Sequence, residues 1–401
     1  MTLVCAVQVV MGIGNTGMIS LLPSIGRALG IADHRIAAVF SLSAVLWFLS
    51  SPAWGRVSDR YGRKPLILLG LAGFIVSSAA FAGAITLGLN DGAPPDLLFA
   101  LFLLARGLFG LFGSATNPAS FAYIADRTAP EARTAAMARL AGAFGLGTVI
   151  GPVLAPLMVV PIAGLAGPMY GFGLLGAAMA LAVAWGLTDE RRNRAPAPPP
   201  ASGQKGEPSI WRDGGVRPFL IYAFFVSACQ TGQIQTIGFL VIDLLSLPPE
   251  RAQPYIAAAI MGGAAAALFA QWGLLGVVRM TAQRMMCWGA GLGALGSLVV
   301  IAPGGYAVAA IGFCIGSIGL GLARPGYTAA ASLVSDEKRQ ARVAGAIAAV
   351  NGVNALLAPV FVWLYGVWRA APFALIAAVM FAMLAYGLLE PAMRRRPVGG
   401  T

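Results

Sequence analysis

The residues whose spacing carries the most chemistry form a loop, Gly55-Arg-Val-Ser-Asp59-Arg60-Tyr-Gly62-Arg63-Lys64, in which one acid stands among four bases between turn-forming glycines. Together with the acid of Tyr123-Ile-Ala-Asp126 it can build an ion-pair cluster, and a few charged hydrogen bonds made in one conformation and released in another act as a latch. A reading in which these charges only set orientation and cap helices stays open. Arg106 is the second feature: it lies some ten residues into an apolar run, roughly 15 Å deep in a core of ~30 Å. An unpaired arginine there costs about 2.5–3.5 kcal/mol, so it should face a wet cavity and find acceptors. Asn15 reaches a similar depth from the other side and Gln8 lies nearer the inner end; alternatively, Arg106 merely pins two helices together. Gln230, Thr231, Gln233, Gln235 and Thr236 crowd the middle of another run, where they either line a cavity or bond helices to one another. Asp243, 25 residues beyond Pro218, falls near the outer surface as an interface residue or a coupling carboxylate.

These residues need elements to hold them, and composition sets what those can be. Of 401 residues, 58% are hydrophobic and 10% charged, with mean hydropathy +0.79, too few charges to clothe a water-soluble surface of this size and far too apolar for disorder. The chain reads as an all-α membrane protein. Twelve apolar runs of helical length start near Leu3, Ile36, Pro65, Leu97, Ala135, Pro168, Pro218, Tyr255, Met285, Tyr306, Val343 and Pro372. They are too long and too continuous to be alternating transmembrane strands. The first lacks a basic lead-in and a cleavage pattern, so it is expected to be a retained helix. The longest polar stretch contains Ala195-Pro-Ala-Pro-Pro-Pro200 and reads as a semi-rigid linker over 189–217, separating an N-terminal bundle (1–188) from a C-terminal bundle with a basic tail (218–401).

Charge follows the loops. With alternate loops assigned to opposite sides, 22 of the 27 Lys and Arg fall on the side of the linker and both termini, and four on the other. The positive-inside rule then makes linker and termini cytoplasmic, and explains the net charge of +12 without nucleic acid. Asn117-Pro118 and Arg324-Pro325, Gly151-Pro152 and Ala358-Pro359, and Gly145 and Gly352 are each separated by 207 residues, as expected of two repeated six-helix bundles around a midplane site.

Other motifs exclude chemistry. Three GxGxxG matches (Gly12–Gly17, Gly171–Gly176, Gly291–Gly296) lie inside apolar runs and read as helix-packing surfaces rather than dinucleotide loops. No P-loop is present, so ATP-driven pumping within the chain is excluded. Cys5, Cys229, Cys287 and Cys314 stand alone, and the single histidine, His34, sits in a loop; no metal, cofactor or enzymatic activity is expected.

The loop from Gly55 to Lys64 resembles the signature of the major facilitator superfamily, Gly-x-x-x-Asp-Arg-x-Gly-Arg-Lys, at every named position. Arg106-Gly107 with Gly110, and the Tyr123–Asp126 segment, continue the likeness. Gly147-x-x-x-Gly151-Pro152 resembles the antiporter signature of drug:proton exporters of the tetracycline-efflux type. The chain departs from that family at Ala155-Pro156, where Gly-Gly is usual, and in the second copy of the loop (Gly276 to Arg284), which has lost its acid. It also carries no acid between Leu3 and Ile25, so coupling would rest on Asp243, on the Asp59 and Asp126 cluster, or on a protonatable substrate.

The resemblance implies a twelve-helix major facilitator fold and a monomer in a bacterial cytoplasmic (inner) membrane that exports a small amphipathic compound in exchange for protons. Gly55, Asp59, Arg60, Gly62, Arg63 and Asp126 would form its latch, Gly147, Gly151 and Pro152 its antiporter-type helix bend, and Arg106, Gln8, Asn15, Gln230, Gln233 and Asp243 its substrate and proton-coupling cavity. With no carboxylate at mid-depth beside Arg106, neutral or anionic substrates are expected over permanent cations. Uptake by proton symport or uniport is the alternative within transport, and a receptor or assembly factor on the same scaffold the alternative outside it.

Overall fold

The computed structural model describes residues 1–90, 92–159, 164–188, 210–274, 280–334 and 337–394. Within them the apolar runs become twelve helices long enough to cross a bilayer: α1 Thr2–Ala28, α2 Asp33–Tyr61, α3 Arg63–Asn90, α4 Pro95–Arg127, α5 Ala135–Leu157, α6 Gly167–Gly186, α7 Arg217–Leu245, α8 Pro249–Leu274, α9 Ala282–Ile301, α10 Gly305–Leu333, α11 Arg342–Val367 and α12 Ala371–Leu389. A segment this apolar satisfies its backbone within itself, because lipid offers no partners. Every expected start lies within six residues of an observed one; the largest difference is α8, which begins at Pro249 because its first turn, Pro-Glu-Arg, is polar and escapes an apolar-run criterion.

Two helices change pitch where proline removes a donor. In α4 a 3-10 turn over Gly113–Ala115 precedes Pro118, which cannot donate to the carbonyl of Ser114; in α11 a 3-10 turn over Asn354–Leu357 precedes Pro359, which cannot donate to that of Ala355. Their counterparts in the 207-residue repeat, Pro325 in α10 and Pro152 in α5, lie inside continuous helix. The repeat therefore places prolines alike without breaking the same helices.

The chain forms two compact units. The first comprises Met1–Ser202 with Leu247–Ala258, and the second Gly203–Ser246 with Ala259–Thr401. In the first, the N-terminal part of α8 joins α1 through Ser24 Oγ, which donates to Gln253 Oε1 at 3.0 Å, both residues fully buried. The second unit begins with a short 3-10 turn, Ile210–Arg212, followed by Asp213, which accepts from the Gly215 N–H and pairs with Arg339 at 2.6 Å. Residues 189–209 of the expected linker, and Gly276 to Arg279 of the acid-free loop copy, lie outside the described residues.

Candidate functional site

Arg106 sits on α4 with only 3% of its surface exposed. Its Nη2 donates to Asn15 Oδ1 of α1 at 2.8 Å. The guanidinium carbon lies 4.4 Å from the ring centre of Phe109 and 4.9 Å from that of Phe40 on α2, so two aromatic faces share the charge. Phe109 is held by Trp47 at 5.4 Å and Phe74 at 5.9 Å between ring centres, and Phe74 packs where Gly14 of α1 has no side chain. Nε of Arg106 is buried with no acceptor, and among the described residues no carboxylate pairs with this arginine. Gln8 lies on the same face of α1 as Asn15, two turns away; it is 2% exposed, and its Nε2 also lacks an acceptor. The first unit thus buries a cation and two donors that its own residues leave unsaturated.

At the end of this unit where α2 meets α3, one guanidinium collects the charges. Gly62 takes φ +101°, a backbone conformation that favours glycine, and lets α3 begin one residue after α2 ends. Arg63 then reaches back to Asp59 at 2.6 Å and across to Asp126 of α4 at 3.2 Å, and its Nη1 donates to buried Ser58 Oγ at 3.0 Å. Arg60 stands apart from this set, over the ring of Tyr61 at 5.4 Å. A Cβ added to Gly55 would meet only Pro118 Cβ, at an unstrained 3.9 Å.

The α1–α5 crossing is built on missing side chains. A Cβ on Gly147 would strike the carbonyl oxygen of Val9, one on Gly151 that of Ile13, and one on Gly12 would lie 2.5 Å from the oxygen of Phe144. These obstacles are backbone and cannot rotate away. Pro152 follows within continuous α5.

In the second unit Gln233 is 3% exposed and donates from Nε2 to the Phe313 carbonyl of α10 at 3.0 Å, lying against Gly316; Gln230 is half-buried. Asp243 accepts from Tyr365 Oη of α11 at 2.5 Å and lies 3.6 Å from Arg369, with 14% of its side chain exposed. The unit also uses two residues that sequence reading passed over. Asn351 accepts from Ser227 Oγ at 2.6 Å, and Asn354, fully buried, donates to the Phe224 carbonyl at 3.1 Å, leaving its Oδ1 without a partner. Asn354 stands 207 residues after Gly147, so one helix crossing is closed by an absent side chain and its repeat by an amide.

Twelve helices long enough to cross a bilayer, gathered in two compact units, define a polytopic membrane protein, and the family match makes it a transporter rather than an enzyme. The profile of the Major Facilitator Superfamily matches residues 4–359, and the chain belongs to that family. Among curated proteins, it is 36% identical over 151 residues to the class D tetracycline resistance protein of Salmonella ordonez, covering 37% of this chain and 34% of that protein. It is 31% identical over 142 residues to multidrug resistance protein 2 of Bacillus subtilis (strain 168), covering 35% of this chain and 32% of that protein. These alignments span about a third of each relative's length. Among solved structures, an inward-facing, unoccupied bacterial homologue of the human lysosomal transporter Spinster superposes with a TM-score of 0.72 at 14% identity, over 98% of this chain and 95% of that one, a likeness of fold.

Proposed function

We propose that this protein is a secondary active exporter that moves small amphipathic compounds, neutral or anionic, out of a bacterial cell across its inner membrane by alternating access, as a monomer coupled to protons. The observation that carries the substrate class is Arg106: a buried cation between two aromatic rings, anchored by a neutral amide, with a buried Nε that has no acceptor among the described residues. A permanent cation about 6 Å from it would be repelled by about 3 kcal/mol at an effective dielectric near 20, more than a hundredfold in affinity. An anion or a polarised carbonyl would instead complete its coordination. The drug-resistance relatives and the glycine-built α1–α5 crossing support export.

In this reading the Asp59–Arg63–Asp126 set is the latch, and the side bearing most arginines, including the linker and both termini, is cytoplasmic. The test is efflux from proteoliposomes under an imposed pH gradient, comparing a quaternary ammonium dye with neutral and acidic compounds in wild type and Arg106→Ala. Export of neutral or acidic compounds that needs the gradient and falls in the variant is the expected result. Vigorous Arg106-dependent export of the dye, with the others untouched, overturns it.

A further inference from the structure

Apart from the proposed substrate site, the seam between α2 and α4 in the first unit carries an exposed apolar groove. Gly110 brings the helices together, since a Cβ there would lie 2.5 Å from the Ser43 carbonyl oxygen, and Trp54 Nε1 donates to the Leu111 carbonyl at 2.6 Å. Beside this seam runs an open groove of about 450 Å³, walled by Leu46, Leu49, Ala53, Trp54, Val57 and Leu111. Leu49 is 65% and Leu111 38% exposed, so no described part of the chain covers them.

From Leu46 to Val57 the groove follows twelve residues of α2, about 16 Å of helix, close to half of a ~30 Å hydrocarbon core. It ends at two cations. Arg60 follows Val57 by three residues and Ala53 by seven, and Arg56 follows Leu49 by seven, so both emerge on the groove's own side of α2. Both are exposed, and among the described residues neither has an ion-pair partner: Arg63 holds the two nearby acids, Lys64 donates to the Ala184 carbonyl, and Arg60 touches only the Tyr61 ring. Asp59 lies about 100° round the helix from Arg60 and is engaged by Arg63.

We infer that this groove holds one acyl chain of an anionic phospholipid whose phosphate is gripped by Arg56 and Arg60. A half-bilayer-long apolar trough capped by two unpaired cations matches a lipid of that leaflet in both length and charge. A water-soluble phosphate would use the cations and leave the trough empty. A second copy of this chain would bring the same two cations against an apolar wall.

The test uses full-length protein purified in detergent with equal amounts of phosphatidylglycerol and phosphatidylcholine bearing the same acyl chains. Retained lipid is counted by mass spectrometry of the intact protein. Wild type should retain phosphatidylglycerol with about a thirtyfold preference, the order expected of two arginines near a headgroup. Arg56→Gln with Arg60→Gln should bring the preference within about twofold, and Ala53→Trp should reduce retention of both lipids. Arg139→Gln, an exposed arginine elsewhere, should change nothing. Each variant is first checked for an unaltered thermal transition, with Leu49→Gln replacing Ala53→Trp if the latter melts early. An unchanged preference in the double variant overturns the inference, as does displacement of the lipid by glycerol phosphate, which would mark a free-anion site. A dimer that Leu49→Gln dissociates overturns it too, by making a second copy the occupant.

Discussion

Arg106 donates from Nη2 to Asn15 Oδ1 at 2.8 Å, a neutral amide holding a buried cation across 91 residues of chain. The amide orients the guanidinium without neutralising it, and in the proposed function the charge is left for the substrate. Asn15→Ala should therefore lower stability by about 1–2 kcal/mol through the stranded donor, and by much less in an Arg106→Met background where nothing is stranded. Thermal unfolding of the two single variants and the double variant in detergent measures that coupling. Additive losses would mean that the bond has no energetic weight.

Two glycines two residues apart in α5, and so on nearly opposite faces of it, should behave in opposite ways. Nothing lies within 4 Å of a Cβ built on Gly145, whereas one on Gly147 meets the Val9 carbonyl oxygen. Gly145→Ala should be neutral or gain up to about 1 kcal/mol from helix propensity. Gly147→Ala must push α1 and α5 apart and should lose roughly 2 kcal/mol or more, with transport falling alongside. Equal melting temperatures for the two variants would show that the crossing yields to a methyl group at no cost.

Much of this is legible in the sequence. Long apolar runs in lipid have one backbone solution, so twelve helices followed from hydropathy, and counting residues along two of them is enough to make Arg106 and Asn15 neighbours. What hydropathy omits is which way a side chain points. Nothing in a row of Gln and Thr says that Gln233 donates to the Phe313 carbonyl, or that Phe40 and Phe109, two of twenty phenylalanines, are the pair that face Arg106. Asn351 and Asn354 were overlooked because single amides inside an apolar run leave its mean hydropathy almost unchanged, yet each makes an interhelical bond. The 207-residue spacing did contain that signal, since it places Asn354 opposite Gly147.

Asp59→Asn tests the proposed latch. The substitution removes the charge that Arg63 grips at 2.6 Å while leaving the bond to Asp126 at 3.2 Å. With Asp59 52% exposed, the lost pair is expected to contribute only about 0–1 kcal/mol to folding, so expression and melting should change little. Transport should drop severely, and substrate affinity should stay within a few-fold because Arg106 lies far from that end of the unit. Transport equal to wild type at matched expression would remove the latch from the mechanism.

Orientation in the membrane is the last prediction, and it rests on counting rather than contact. Lipid bilayers are crossed with arginine- and lysine-rich loops retained in the cytoplasm, and 22 such residues against four is a decisive bias. The loop between α3 and α4 and the linker must lie on opposite sides, because three helices separate them. In a background with Cys5, Cys229, Cys287 and Cys314 replaced, Ala93→Cys should react with an impermeant thiol reagent added to intact cells. Ser202→Cys, in the linker outside the described residues, should react only after the cells are permeabilised. The opposite pattern would invert the protein in the membrane, place the Asp59–Arg63–Asp126 set outside, and turn the proposed direction of transport around.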